Sequence, residues 1–161
     1  MTTGSHIGKT LYVAEALPAT NTAAGFEALT WVKVNGVQTL PQLGVSHNNI
    51  DVSDLQSGFT AGIKGAGSGN DSTMAFRLVA SDAGQEDLRN RANAGGTSGA
   101  ISVKIVKGSG ADQAPATGDP VQYAQGYAHS YVEIQGDDSS HEGFSVNFKQ
   151  NALTIDATEP V

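Results

Sequence analysis

Cysteine is absent from the 161 residues, which excludes a disulfide, a thiolate nucleophile and a Cys-ligated zinc. Charge is scarce, at 16% of residues against about a quarter in ordinary globular chains. It leans acidic: nine Lys or Arg stand against sixteen Asp or Glu, a net of −7. That sign argues against a protein that grips nucleic-acid phosphates, which needs a basic patch. It allows a wall past which DNA slides, because a negative surface repels phosphate. No apolar run approaches the roughly 18 residues of a membrane helix. The opening "MTTGSHIGKTLYVAEA" lacks a charged segment followed by an apolar one, so no signal peptide is expected, and a cytoplasmic protein is. Aromatic residues are few: one Trp, four Tyr and five Phe.

Glycine is abundant, at 20 residues, which favours turns and β structure over long helices. The length fits one domain, 1–161, large enough to bury its own core. Several stretches alternate with period two, the pattern of half-buried antiparallel strands. "KTLYVAEA" opens the series, and "LTWVKVNGV" follows, ending in the Asn35-Gly36 turn signal. "TMAFRLVA" sets Met74, Phe76 and Leu78 on one face. "AISVKIVKG" sets Ile101, Val103 and Ile105 against Ser102 and Lys104. "YAHSYVEIQG" sets Ala128, Val132 and Ile134 against His129, Tyr131, Glu133 and Gln135. "FSVNFKQ" sets Phe144, Val146 and Phe148 against Ser145, Asn147 and Lys149, and "LTIDA" is a short last strand.

One stretch breaks the alternation. "SDAGQEDLRNRANAGG" has Asp82 with Gln85 three residues on, the spacing of a helix capping box. Its acids come early and its arginines late, as a helix dipole prefers, and Gly95-Gly96 stops it. The expected fold is mainly β: a two-sheet sandwich or barrel of antiparallel strands with one short α-helix.

Motifs for catalysis are missing or broken. "GSHIGKT" lacks the phosphate-loop glycine, since Thr3 stands where it belongs, and a strand follows instead of a helix. The histidines His6, His47, His129 and His141 are scattered without ligand-like spacing. "GDDSSHE" lacks the ligand order of a calcium loop and reads as a hairpin tip. No serine-hydrolase elbow is present. The expectation is a non-enzyme with no cofactor and no metal.

The stretch from about residue 46 to 71 is unlike the rest. "NNIDVSDLQSGF" spaces Ile50, Val52, Leu55 and Phe59 among turn formers and acids, and a Gly/Ser-rich run follows it. The sequence reads as a long connection, and long connections in compact domains are functional or disordered.

The order of these features resembles the major tail tube proteins of long-tailed, siphovirus-type phages. A Trp-Val-Lys strand, an "IDVSD…SGF" segment in a long loop, a strand feeding an acidic-start helix, and a final "SVNFK" strand occur in that succession. The resemblance implies a ring of six copies whose inner sheets close one barrel, rings stacked into a tube, and DNA passing through the lumen without specific binding. It implies that the loop, Asn48, Asn49, Ile50, Asp51, Val52, Ser53, Asp54, Leu55, Gln56, Ser57, Gly58 and Phe59, ties neighbouring subunits and rings together. Glu133 and Gln135 become lumen-lining candidates. Tape-measure, terminator and baseplate proteins become partners besides further copies of the chain. The location implied is the virion tail, with assembly in the host cytoplasm.

Two other readings stand beside it. One is the inner tube of a contractile tail or of a type VI secretion system, which shares the fold. The other is a small β-sandwich carbohydrate-binding module, for which Tyr123, Tyr127 and Tyr131, four residues apart, would supply one aromatic face.

Overall fold

The computed structural model describes residues 4–161. Met1, Thr2 and Thr3, which open the stretch read for a leader and include the missing phosphate-loop glycine position, lie outside the described residues. The strands are β1 (Lys9–Ala14), β2 (Val32–Val34), β3 (Val37–Thr39), β4 (Val45–Ser53), β5 (Thr60–Gly69), β6 (Asp71–Arg77), β7 (Ala100–Lys107), β8 (Pro120–Ile134), β9 (Gly143–Gln150) and β10 (Ile155–Thr158). The α-helices are α1 (Ala23–Glu27), which no sequence signal announces, and α2 (Ala83–Asn93), the one expected. The fold is mainly β and every strand pairing is antiparallel.

The two layers belong to one sheet folded on itself. Its order is β2-β1-β7-β8-β9-β6-β3, with β10 also on β8. The fifteen residues of β8 serve both layers: positions 121–127 pair with β7, and 126–134 pair with β9. The two pairings meet at Gly126. A Cβ there would collide with the Lys149 carbonyl, so glycine lets the backbones close up. After β9 the chain continues along the same edge of β8 as β10, so one long strand holds both layers in register.

Between the layers lies one apolar core: Leu11, Val34, Val103, Phe76 and Phe148 from the strands, and Leu88 from α2. A second cluster covers the outside of the β1–β7–β8 layer, where Phe26 of α1 stacks on Tyr123 and Trp31 leans on the same ring. The Trp31 indole N–H is satisfied by the Phe26 carbonyl at 3.0 Å. This layer is therefore buried on both faces, and that overturns the polar face expected of β7. Ser102 is buried with its hydroxyl on the Ala16 carbonyl, 2.7 Å away. Lys104 is buried against Glu159, 2.8 Å from its carboxylate, with the Tyr12 ring beside its ammonium. An ion pair so enclosed is tolerated because each charge has its partner.

The β8–β9–β6–β3 layer is half-buried, and β9 alternates as its sequence predicts, with Phe144, Val146 and Phe148 inward. Two local readings change. Leu78 lies beyond the end of β6 and is exposed, not on the core face with Met74 and Phe76. The second half of β8 switches faces. Its pairing slips between His129 and Val132, and Ser130 adopts φ 57, a left-handed conformation that stacks one extra residue into the strand. Tyr131 therefore packs on the core side, while Val132 and Ile134, expected inside, are exposed. Strict alternation cannot survive a bulge.

Asn35-Gly36 turns the chain from one layer to the other; β2 and β3 do not pair with each other. Asp82 anchors this corner. It accepts from the Asn35 amide and caps α2 by accepting from Gln85 N–H at 3.0 Å. Gln85 does not reach back to the cap as a capping box would. It is buried, accepts from Val79 N–H, and donates to the carbonyls of Asn35 and Arg77.

Candidate functional site

The segment read as a loop is a β-hairpin, and this is the main correction to its sequence reading. β4 and β5 pair over eight positions, from Val45 opposite Gly69 to Ser53 opposite Thr60, and form a two-stranded sheet apart from the body. The alternation was hidden because glycine fills much of β5, where no side chain reports a face. Nine residues at about 3.3 Å each give an arm of about 30 Å.

Its register sorts the side chains. Ile50 faces Ile63 and Val52 faces Ala61, so these four share one side. Asn49 opposite Lys64 and Asp51 opposite Gly62 share the other. The tip turns over Asp54–Phe59, where the Asp54 carboxylate accepts from Ser57 N–H. That backbone hydrogen bond, joined by the Ser57 hydroxyl, holds the Asp54 carboxyl below its ordinary range. Within the turn, Leu55 and Phe59 are exposed at 104% and 78%. With Ile50, Val52 and Ile63, the arm carries five exposed large apolar side chains. A lone exposed Leu needs no explanation, but five such side chains on one projecting element call for one.

The arm is tied to the body at its root by several hydrogen bonds. Asn70 alone separates β5 from β6. Gln150, 1% exposed, accepts from Gly44 N–H with its Oε1 at 2.9 Å and donates to the Ala152 carbonyl and the Thr154 hydroxyl. Asn70 N–H donates to the Gly44 carbonyl, and Gln150 N–H donates to the Asn70 carbonyl. Lys149 donates to the Gly69 carbonyl at 2.6 Å. Gly69 is required by closeness: a Cβ would strike the Gln150 carbonyl. Sequence reasoning missed Gln150, since a strand-end glutamine carries no signal until its neighbours are known.

Glu133 does not share a face with His129. The bulge turns it toward α2, into a groove with Arg89, His141 and Tyr131, whose hydroxyl lies 3.4 Å from its carboxylate. Gln135 follows the end of β8 and is exposed. The open face of this layer instead carries Asp71, Thr73, Asn147, Lys149 and His129, with His129 Nε2 3.0 Å from Asp71. His141 meets Gln38. Among the described residues no three His, Asp or Glu side chains gather as a metal site requires.

The three tyrosines do not form a platform. Tyr123 is buried under Phe26 and Trp31, and burial, reinforced by Glu159 and Glu27, pushes its hydroxyl up to about 12. Tyr127 lies on the open face, and Tyr131 is turned to the core by the bulge, under Arg89.

No family model and no curated protein matches the chain. Solved structures do. A chain of the sheath–tube complex of PVC, an extracellular contractile injection system, superposes with a TM-score of 0.65 at 11% identity, over 96% of this chain and 91% of that one. The SPP1 tail tube follows with 0.64 at 13% identity, over 98% of this chain and 80% of that one. A chain of the six-fold symmetrised baseplate of the anti-feeding prophage gives 0.62 at 6% identity, over 100% of this chain and 98% of that one. This is the tail-tube fold. The two-layer body of the tail-tube fold accounts for the core, and the hairpin is the part of it left uncovered.

Proposed function

We propose that this chain is a structural subunit of a phage tail tube, assembling with copies of itself into stacked six-fold rings around a channel for the genome. The observation that carries the reading is the rooted arm, with five exposed apolar side chains on a body that has the tail-tube fold. An isolated two-stranded ribbon is marginal in water, so a long exposed one gains its stability from a partner. Closing a ring also covers the strand edges that would otherwise template aggregation. The chain performs no reaction in this reading and works in the virion tail after assembly in the host cytoplasm. Its further partners are tape-measure, terminator and baseplate proteins.

The open polar face of the β8–β9–β6 layer lines the lumen in this reading, through Asp71, Thr73, Asn147 and Lys149. Gln135, exposed past the end of β8, lies at the rim of that channel in this reading, while Glu133, turned toward α2, does not line it. The net charge of −7 lets DNA pass without adhering. The PVC and anti-feeding prophage structures support the neighbouring reading, the inner tube of a contractile system, on the same fold.

Negative-stain microscopy of the purified protein, concentrated and incubated for days, tests the class. Hollow tubes of constant width or six-fold rings are expected. Small monodisperse particles at every concentration, also with preformed tails as seeds, would overturn the reading.

A further inference from the structure

The arm needs a seat, and three clefts of about 460–560 Å³ among the described residues are candidates. The two beside α2 carry more carboxylates than cations: Glu133, Asp137 and Glu142 with Arg89 in one, Asp82 and Glu86 with Arg89 in the other. The third is different. It opens between residues 37–43 and the start of β1, with a volume of about 560 Å³. Its apolar part, the floor, is made by Val37, Leu40, Leu43 and Ile105, all of which touch the main core, and Gln38, Thr39, Gln42 and Gln122 also line it. Its rim has Lys9 and His6, and no carboxylate lines it.

We infer that this cleft receives the arm tip of a second copy of the chain, with Leu55 and Phe59 on its floor and Asp51 and Asp54 facing Lys9. The inference rests on the tail-tube reading and names the surface that the reading leaves open. Charge complementarity favours this cleft over the other two. The tip stretch 48–59 has two aspartates and no Lys or Arg, so clefts whose carboxylates outnumber their one arginine disfavour it, and the one with Lys9 and no carboxylate attracts it. The apolar tip and apolar floor then bury each other, the usual centre of an interface with a polar rim.

The occupant cannot be the chain's own tip. Leu43 in the floor is two residues from the arm's first strand, and the eight-position ladder holds the tip about 30 Å from that root. Folding back would break the ladder. Donor and acceptor surfaces are therefore distinct parts of each copy. Such a contact is head-to-tail, the kind that propagates around a ring or along a stack.

A zero-length carbodiimide cross-link tests it. Equal amounts of unlabelled and ¹⁵N-labelled protein are mixed, allowed to assemble, cross-linked and digested. Lys9 joined to Asp51 or Asp54 across mixed isotopes is expected. Assembled material without that link, or with it only between peptides of one isotope, overturns the inference while the tail-tube reading stands. Charge reversal gives a second readout. Lys9→Glu and Asp51→Lys should each raise the concentration needed for assembly about tenfold, and the double variant should return to within about threefold of the parent. Circular dichroism of each variant checks that the fold is intact. Assembly indifferent to all three changes overturns the docking alone; failure of the parent chain to assemble under any condition overturns the tail-tube reading and the docking with it.

Discussion

The body and the arm use the same kinds of residue to opposite ends. In the body, the large apolar side chains of β1, β6, β7 and β9 meet across two layers and are buried. In the arm, Ile50, Val52, Ile63, Leu55 and Phe59 are exposed on a ribbon that the body touches at its root. Body hydrophobes stabilise the monomer, because they leave water when the chain folds. Arm hydrophobes contribute almost nothing to it and are available to another molecule. The two regions meet at Gln150, whose buried amide ties Gly44 at the arm's start to Ala152 and Thr154 in the body. On the proposed reading, strength of folding and capacity to assemble belong to different parts of the chain.

The largest effect that would break this contrast is in the core. Phe76 is fully buried and stacks on Phe144 with centroids 4.9 Å apart. Phe76→Ala should lower stability by about 3–5 kcal/mol in urea unfolding. A loss under 1 kcal/mol would mean the layers are not packed as described.

Next comes the junction. Gln150→Leu removes the acceptor for Gly44 N–H and leaves that donor without a partner, at about 1–3 kcal/mol. Hydrogen exchange should accelerate at Gly44 and Asn70 first. An unchanged urea midpoint with unchanged exchange would show that the arm's root is held by other means.

A pH effect of smaller size belongs to the body. The Asp119 carboxylate accepts from the Ser109 hydroxyl and from the Ser109 and Ala116 amides, and these bonds lower its pKa from 3.8. A carboxyl lowered in the folded state stabilises it above the unfolded value, and that contribution disappears as pH falls through the folded one. Thermal melts should therefore show an acid-side loss below pH 3.8 that Asp119→Asn reduces. Identical acid profiles for the two proteins would remove Asp119 as a contributor.

The smallest effect on folding is expected in the arm. Leu55→Ser with Phe59→Ser should change stability by no more than about 0.5 kcal/mol, as exposed sites usually do. The same pair should abolish tube formation under the microscope. A destabilised monomer would show that the tip touches its own body; tubes of normal length would show that the tip is not an assembly element.

The strands were legible where local pattern and burial agree. β9 alternates cleanly because one face is covered and the other open, and α2 announces itself through Asp82, Gln85 and the terminal glycines. Three features were not legible, each for a physical reason. β7 is covered on both sides, so its Ser102 and Lys104 look like a solvent face until Ala16 and Glu159 arrive from distant parts of the chain. β8 changes face at Ser130, and a serine gives no warning of a left-handed backbone. The arm reads as a loop because its glycines report no side-chain period.

What the sequence determined by itself was the class of molecule: an acidic chain without cysteine, rich in glycine, with period-two strands, one capped helix and an odd polar stretch set with isolated hydrophobes. These are local or compositional properties, and neighbouring residues suffice to express them. The tertiary structure alone decided that one strand spans both layers, that Glu133 turns toward α2, and that the odd stretch becomes a ribbon clamped by Gln150. Each of these depends on pairings between residues far apart in the chain, where backbone hydrogen bonds and close approach choose the register, and no local pattern carries that information.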